Sequence, residues 1–567
     1  MKLYEKYKEI VKELGTIKKA YFTTFNISPE FIERYILPPL VGENIPKNAL
    51  GYESINQKLE KTKKPDIKFF HDANMTKFDE GKKTSVAFYP IVMTNGVFHP
   101  KVIYLEGDNA IYLIVGSGNL TLSGWGRNRE SFRIIKIDKA PNLYNQAHNF
   151  FVDVFEKSGL KKRKKKPTIN NADINLVYGF NKTSNFLDSL EFCENLQVWS
   201  PYFSDLDELL EDEKFKSLKS IKIIPDINKN GKTRLEKLPE NESVSFHKDE
   251  KSEDIFNHSK VWLSDTKIAI GSHNMTKQAL YGNNFEASLV ENIRKKETFL
   301  ITSDSFKPEI NEERDVEEVD EILTEKRFSG LFRLVANWKN RTLILEKVFF
   351  EGSSKNLNII LPSNLEKSNT ELKNMDTVEL ATVFATLGRN KIFTIKDKGS
   401  DKIIFRGFIT EEETAYRDTV KAESLEDIFL SFEDKGEACL VEQLEERILN
   451  KAMGTHVEKK RHQIKENYFT MFQGFKTLDE RLKKVNTKKE LHSFCYSSVT
   501  SITSIMIVLE NEKKHPETLF LYLCIEELNK LIFKVNKSLE KETKLKKLKN
   551  IPILKPEDKN FLKACST

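Results

Sequence analysis

Residues 257–276 read NHSKVWLSDTKIAIGSHNMT, and residues 98–121 read FHPKVIYLEGDNAIYLIVGSGNLT. Both pass from His-x-Lys through an apolar run, a charged turn and a second apolar run to Gly-Ser-x-Asn. Short apolar runs separated by a polar turn predict two strands of a hairpin. Each stretch is followed by Asn-x-Glu, at Asn128–Glu130 and Asn284–Glu286, and then by a further β-type run, SFRIIKI or ASLVENI. Upstream the order repeats as well. AYFTTFNISPEFIERYI from Ala20 and QVWSPYFSDLDELLED from Gln197 each give a short β-type run, a polar turn and a helix pattern. Two copies of one α/β unit are the simplest explanation, one over residues 1–160 and one over 174–325.

Between the copies lies KKRKKKPTINNAD, residues 161–173. Six cations before a proline predict a solvated linker, with contact to a phosphate backbone as the other reading. Past residue 326 the texture changes. RFSGLFRLVANW, TLILEKVFF, NLNIILP, TVELATVFATL, KIFTIKD and KIIFRGFI predict a β-rich accessory domain over 326–433. From 434 to 567, CLVEQLEERILNKAM, ENYFTMFQGFKTLDERLKKV, ELHSFCYSSVTSITSIMIVLE and TLFLYLCIEELNKLIFKVNKSL repeat apolar residues at threes and fours and predict a helical C-terminal domain. Residues 326–567 contain no second constellation of reactive side chains. They are expected to set a substrate or hold a partner protein.

Composition narrows the class. The chain has 567 residues, 39% of them hydrophobic and 31% charged, with a net charge of +6. This suits a globular protein, and the mild basicity permits nucleic-acid binding without demanding it. MKLYEKYKEIVKELG reads as an amphipathic helix, not as a secretory signal, and no apolar run is long enough to cross a bilayer. A cytoplasmic protein without a membrane partner is expected. The five cysteines are widely spaced and form neither a disulfide framework nor a zinc knuckle. No acidic cluster has metal-ligand spacing, so neither a metal nor any other cofactor is expected.

The second motif, His258-Ser259-Lys260 with Asp265 and Gly271-Ser272-His273-Asn274, resembles the His-Lys-Asp signature of the phospholipase D superfamily. The first, His99-Pro100-Lys101 with Gly116-Ser117-Gly118-Asn119, departs from it in one place, where Glu106 stands for the aspartate, and its loop is longer. The segment GSGNLTLSGWG is similar to the tyrosyl-DNA phosphodiesterase branch and to phospholipase D-like nucleases of bacterial defence operons. The resemblance covers roughly residues 18–300. It implies a pseudo-dimeric α/β sandwich with one shared active site and a phosphodiesterase that needs no metal.

Residue chemistry agrees with that family. A phosphodiester is cleaved by in-line displacement, which needs a nucleophile on one side of phosphorus and an acid on the other. His99 and His258 can supply both. His and Lys two apart in an extended strand share a face, so Lys101 and Lys260 can reach the non-bridging oxygens. Asn119 and Asn274 can donate to the same oxygens, and Ser117 and Ser272 share that face as substrate-binding groups. The resemblance further implies that Glu130 orients His258, that Glu286 orients His99, and that His99 is the nucleophile. Glu106 and Asp265 are supporting residues only. His273 reads as structural, and Trp125 and Tyr281 read as packing more readily than as base-stacking residues. A nuclease acting on DNA is the leading expectation, with bacterial anti-phage defence or restriction as the setting the resemblance implies. The alternatives are a phospholipid phosphodiesterase or transferase, and a nucleic-acid-binding defence subunit that works with partner proteins.

Overall fold

The computed structural model describes residues 2–46, 52, 55–56, 58–59, 65–169, 172–179, 186–192, 194–227, 232–235, 237–248, 255–293, 304–310, 327–350, 352, 356–387, 390–416, 428, 468–485, 488–496, 501–511, 518–539, 544–549 and 552–565. Its first sheet contains β1 (Ile17–Thr24), β2 (Asp66–Asp72), β3 (Phe88–Ile91), β4 (Val102–Gly107), β5 (Ile111–Gly116) and β6 (Phe132–Lys136), in the order β3-β2-β1-β4-β5-β6. β1, β2 and β3 are parallel, while β4, β5 and β6 continue antiparallel from β1.

The second sheet repeats this plan. It is built from β7 (Ile174–Gly179), β8 (Asn195–Ser200), β9 (Ser220–Pro225), β11 (Val244–His247), β12 (Val261–Leu263), β13 (Lys267–Gly271), β14 (Glu286–Asn292) and β15 (Ser305–Phe306); the two-residue β10 (Lys232–Thr233), between β9 and β11, pairs instead with β16 (Glu309–Ile310). The order β11-β9-β8-β12-β13-β14 matches the first sheet strand for strand and polarity for polarity. β7 and β15 extend its two edges.

Local chemistry sets the elements after β1 and β8. Ser28 accepts the Phe31 N–H and starts a helical stretch with Pro29 in its first turn, and Gly42 ends it in the left-handed region at φ +70°. In the second copy Asp205 caps the helix Leu206–Leu210. The two sheets share one apolar core: Leu113 and Val115 of β5 pack with Leu176 of β7, Ala287 and Leu289 of β14, Phe285 and the helix Pro141–Lys157. Beside that core Arg133 makes a forked bond to Glu291, at 2.6 and 2.9 Å.

The described part of the basic linker is strapped to the helix Pro141–Lys157. Asn142 bonds both backbone groups of Ile169, Asn149 both of Lys166, and Asn145 reaches the Pro167 carbonyl. Lys162 and Lys165 pair with Glu156 and Asp153 of the same helix.

The middle region holds β17 (Gly330–Asn337), β18 (Thr342–Phe350), β19 (Leu357–Ile360), β20 (Glu366–Ser368), β21 (Ile392–Asp397), β22 (Ile403–Phe408) and β23 (Thr410–Glu412), in a three-stranded and a four-stranded sheet. One β-type reading fails here: TVELATVFATL forms the helix Thr377–Thr386. Asp376 caps it by accepting the Val378 and Glu379 N–H groups, and this local signal overrides the β-branched content. The region packs on the first repeat. Phe408 meets Phe78 and Phe88, the Phe328 N–H donates to Asn74, and the buried pair Lys391–Glu411 lies beside Thr84.

The C-terminal region contains the helices Tyr468–Lys483, Lys488–Tyr496, Ile502–Asn511, Thr518–Asn536 and Pro556–Cys565, most of them around one apolar core. The run CLVEQLEERILNKAM lies outside the described residues. Cys495 and Cys524 are buried in that core, and burial pushes both thiols up, Cys495 to about 12. No helix among the described residues is long and apolar enough to cross a membrane.

Candidate active site

The two His-x-Lys segments enter β4 and β12 as extended chain and cross at the junction of the repeats. The His99 N–H donates to the Phe285 carbonyl, and the Phe285 N–H donates to Val97. The partner crossing is the same: His258 N–H to Arg129, and Arg129 N–H to Phe256. Each segment is thereby hydrogen-bonded to the Asn-x-Glu segment of the opposite repeat.

The glutamates follow their backbones. Glu286 accepts from His99 Nδ1 at 2.8 Å, and Glu130 accepts from His258 Nδ1 at 2.9 and 3.0 Å. All four side chains are nearly inaccessible to solvent. A carboxylate on Nδ1 holds that nitrogen as the proton-bearing one and leaves Nε2 with its lone pair.

Serine completes each brace. Ser117 Oγ donates to Glu130 at 2.6 Å, and Ser272 Oγ donates to Glu286. Both hydroxyls were expected on the phosphate. The structure instead directs their protons to the orienting carboxylates, because Gly116 and Gly271 bring this turn hard against the next strand. A Cβ on Gly116 would lie 2.2 Å from the Phe132 ring, and one on Gly271 2.2 Å from Ser288 Oγ.

The lysines are buried beside the rings. Lys101 Nζ donates to the His99 carbonyl at 2.9 Å, and Lys260 Nζ lies 2.6 Å from His258 Nε2 and 3.1 Å from its carbonyl. Burial pushes His99 down to about 4; Glu286 opposes the shift, while Lys101 and Lys260 add to it. Burial raises the Glu286 carboxyl, but His99, His273 and Lys101 outweigh it and hold the group below its ordinary range. At neutral pH the structure therefore holds a neutral His99 ring against an ionised carboxylate.

The two asparagines differ. Asn119 Oδ1 accepts from Thr24 Oγ1, Phe25 N and Asn26 N at 3.3–3.4 Å, which turns its amide protons the other way. Asn274 has the same neighbours in the repeat: Ser200 bonds Met275 N as Thr24 bonds Leu120 N. Yet Pro201 stands where Phe25 stands and has no N–H to give. Asn274 Oδ1 is buried with no partner among the described residues.

Several residues that hold the site carry no motif. Asp72, at the end of β2, accepts the Phe98 N–H at 2.8 Å, and Asp226, just past β9, accepts the Asn257 N–H at 2.8 Å. Each pins the residue before a motif histidine. Burial raises both carboxyls, Asp72 to about 6. The signal that could have located them is the repeat itself, since Asp72 ends β2 and Asp226 directly follows β9, the matching strand of the second copy. Phe25 packs edge-on to His99, and Tyr202 and Phe256 pack on His258.

The remaining candidates lie outside the cluster. Glu106 bonds Lys19 and Tyr104, and Asp265 caps Glu194 and Asn195, so both brace structure away from the histidines. His273 stacks on Phe186 at 3.9 Å and bonds Ser288. Trp125 packs against Tyr7 and Phe31, and Tyr281 packs on the core of the second repeat. Among the described residues no group of three or more His, Cys, Asp or Glu could hold a metal ion.

No family description and no curated protein sequence matches the chain. Solved structures do. A phosphatidylserine synthase of Haemophilus influenzae is similar at 12% identity and a TM-score of 0.35, over 52% of this chain and 81% of its own. Yeast tyrosyl-DNA phosphodiesterase is similar at 13% and 0.33, over 50% of this chain and 86% of its own. A polyphosphate kinase of Porphyromonas gingivalis is similar at 9% and 0.33, over 52% of this chain and 43% of its own. The first two belong to the phospholipase D superfamily. At such identities and scores the likeness adds nothing to what the geometry of the site says about chemistry.

Proposed function

We propose that this chain is a metal-independent phosphodiesterase that cleaves DNA through a phosphohistidine, with His99 as nucleophile and His258 as general acid. The observation that carries this reading is the crossed pair of histidine–glutamate bonds, in which the glutamate of each repeat orients the histidine of the other. His99 suits attack. It is neutral at pH 7, its Nδ1 proton is held by Glu286, and no described residue bonds its Nε2. His258 is given the general-acid role by the sequence resemblance; Lys260 Nζ, 2.6 Å from its Nε2, donates to that nitrogen, and the ring takes up the proton it passes on when the substrate phosphate draws the ammonium away.

In the first step Nε2 of His99 forms a bond to phosphorus. The bond to the leaving oxygen breaks, and that oxygen takes the proton on His258 Nε2. In the second step a water gives its proton to His258 and its oxygen to phosphorus, and the N–P bond breaks. Lys101, Lys260 and the Asn119 amide stabilise the non-bridging oxygens throughout, the work a metal ion does elsewhere. DNA as the substrate, and a cytoplasmic role in anti-phage defence or restriction, follow from the sequence resemblance and the basic charge.

The test is a panel of plasmid, single-stranded DNA, RNA, phosphatidylcholine and a small activated phosphodiester, each in excess EDTA. Hydrolysis of the small substrate and of DNA under EDTA is the expected result. Activity that returns only with added Mg²⁺ or Mn²⁺ overturns the mechanism, and turnover of phosphatidylcholine alone overturns the substrate.

A further inference from the structure

Arg234 follows β10 and enters the site from a segment that no motif marks. Its Nη1 donates to Asp226 at 2.5 Å, and its Cζ lies 4.6 Å from the centre of the Phe256 ring and 5.8 Å from that of Tyr202. Those same rings lie 5.5 and 6.3 Å from the ring of His258. The guanidinium is therefore about one aromatic ring away from the proposed general acid. Its side chain is 24% exposed. One nitrogen is bonded to Asp226, and no other described residue bonds the rest.

The ion pair alone does not account for it. Asp226 pins Asn257 before His258, and Asp72 pins Phe98 before His99 in the same way. Asp72 does so with only the Asn74 backbone and amide N–H groups as further donors, and no cation bonds it. The charge of Arg327 also acts on Asp72, but among the described residues the guanidinium hydrogen-bonded to the bracing carboxylate belongs to the His258 half. A guanidinium held by one carboxylate and backed by two aromatic faces keeps its outer N–H groups aimed and partly desolvated, the usual form of a phosphate contact.

We infer that Arg234 binds a second phosphate of the substrate, on the leaving-group side of the scissile one, so that the preferred substrate is a polynucleotide strand and not an isolated phosphodiester. This rests on the proposed function, because the leaving side is the side of His258. One hydrogen-bonded charge of this kind is worth about tenfold or more in kcat/KM.

The full chain would be assayed on three thymidine dinucleotides: TpT, TpTp and pTpT. Wild-type protein is expected to cleave one of the two terminally phosphorylated forms about tenfold or more faster than TpT, and which one it is gives the cleavage polarity. Arg234→Gln is expected to erase that preference, and Arg234→Lys to keep part of it. Arg234→Gln combined with Asp226→Asn removes the stranded carboxylate, so a loss of preference in both variants comes from the missing cation and not from a damaged brace. The inference fails if neither terminal phosphate speeds wild-type cleavage, or if the preference survives in Arg234→Gln. Cleavage of none of the three overturns the phosphodiesterase reading itself, and the inference with it.

Discussion

Replacing Glu286 with glutamine keeps the shape of the side chain and removes its charge. The carboxylate is 2% exposed and accepts from His99 Nδ1 at 2.8 Å, from Ser272 and from Asn284 Nδ2 at 3.3 Å. When His99 attacks phosphorus its ring becomes cationic, and the bond to Glu286 changes from neutral–ionic to ionic–ionic. The contribution that grows in the transition state is that of one buried charged hydrogen bond, about 1.5–3 kcal/mol. At about 1.36 kcal/mol per tenfold, Glu286→Gln should lower the rate of the first step roughly 10- to 150-fold. Glu286 raises the pKa of His99, so its loss lowers that pKa further, and the deficit should stay flat between about pH 6 and 8. Glu130→Gln disturbs His258 instead and should slow the second step as well as the first. Rapid acid- or base-quenched turnover of a small phosphodiester separates the steps. Glu286→Gln is expected to show slow, unaccumulated adduct, and Glu130→Gln an adduct that persists. A loss below threefold in Glu286→Gln, or an adduct that builds up in that variant, would refute the orientation argument.

Three further outcomes follow from the same coordinates. His258→Ala should lose at least ~10²-fold in rate and accumulate an alkaline-stable phosphoryl adduct on His99, while His99→Ala forms none; an adduct on His258 would reverse the roles. His71, His99 and His273 are each held near 4 by burial, below the unfolded value of 6.5. Unfolding therefore takes up protons between those values, and stability should fall as pH drops from about 6.5 to 4, by up to about 3 kcal/mol per histidine. Asp72, raised to about 6, acts in the opposite sense over about pH 6 to 4 and offsets part of one histidine; urea midpoints against pH measure the net slope, and a rise in stability toward pH 4 contradicts it. Lys391 and Glu411 are 1% and 0% exposed and 2.6 Å apart. Lys391→Met should cost about 3–5 kcal/mol by stranding the carboxylate, and adding Glu411→Gln, which can still accept from Trp338 Nε1, should recover much of it in thermal unfolding.

The duplication was legible because its marks are local in sequence. His-x-Lys, Gly-Ser-x-Asn and Asn-x-Glu flank consecutive strands, and their order survives in both copies. What the sequence hid is what the second neighbours do. Asp72 and Asp226 lie 27 and 32 residues before the histidines they serve, on strands whose pairing with the rest only the sheet order reveals. The serines were misplaced because strand alternation says which face a side chain shares but not which partner on that face takes its proton. The contrast between Asn119 and Asn274 depends on Pro201, a residue with no chemistry of its own beyond a missing N–H. Over Thr377–Thr386 valine and threonine spoke for a strand, and a single capping aspartate outweighed them.

Because the carboxylate that aims each histidine comes from the other repeat, neither repeat on its own holds a complete half of the proposed site. A change at Asn128–Glu130 acts in trans on the second motif, and one at Asn284–Glu286 acts in trans on the first. If the chain were cut within the linker and its halves produced as separate polypeptides, each would carry a histidine it cannot orient, and activity would reappear only on reassociation. Paired lesions would then complement in an uneven way. A half lacking its own glutamate would disable its partner's histidine while keeping its own aimed.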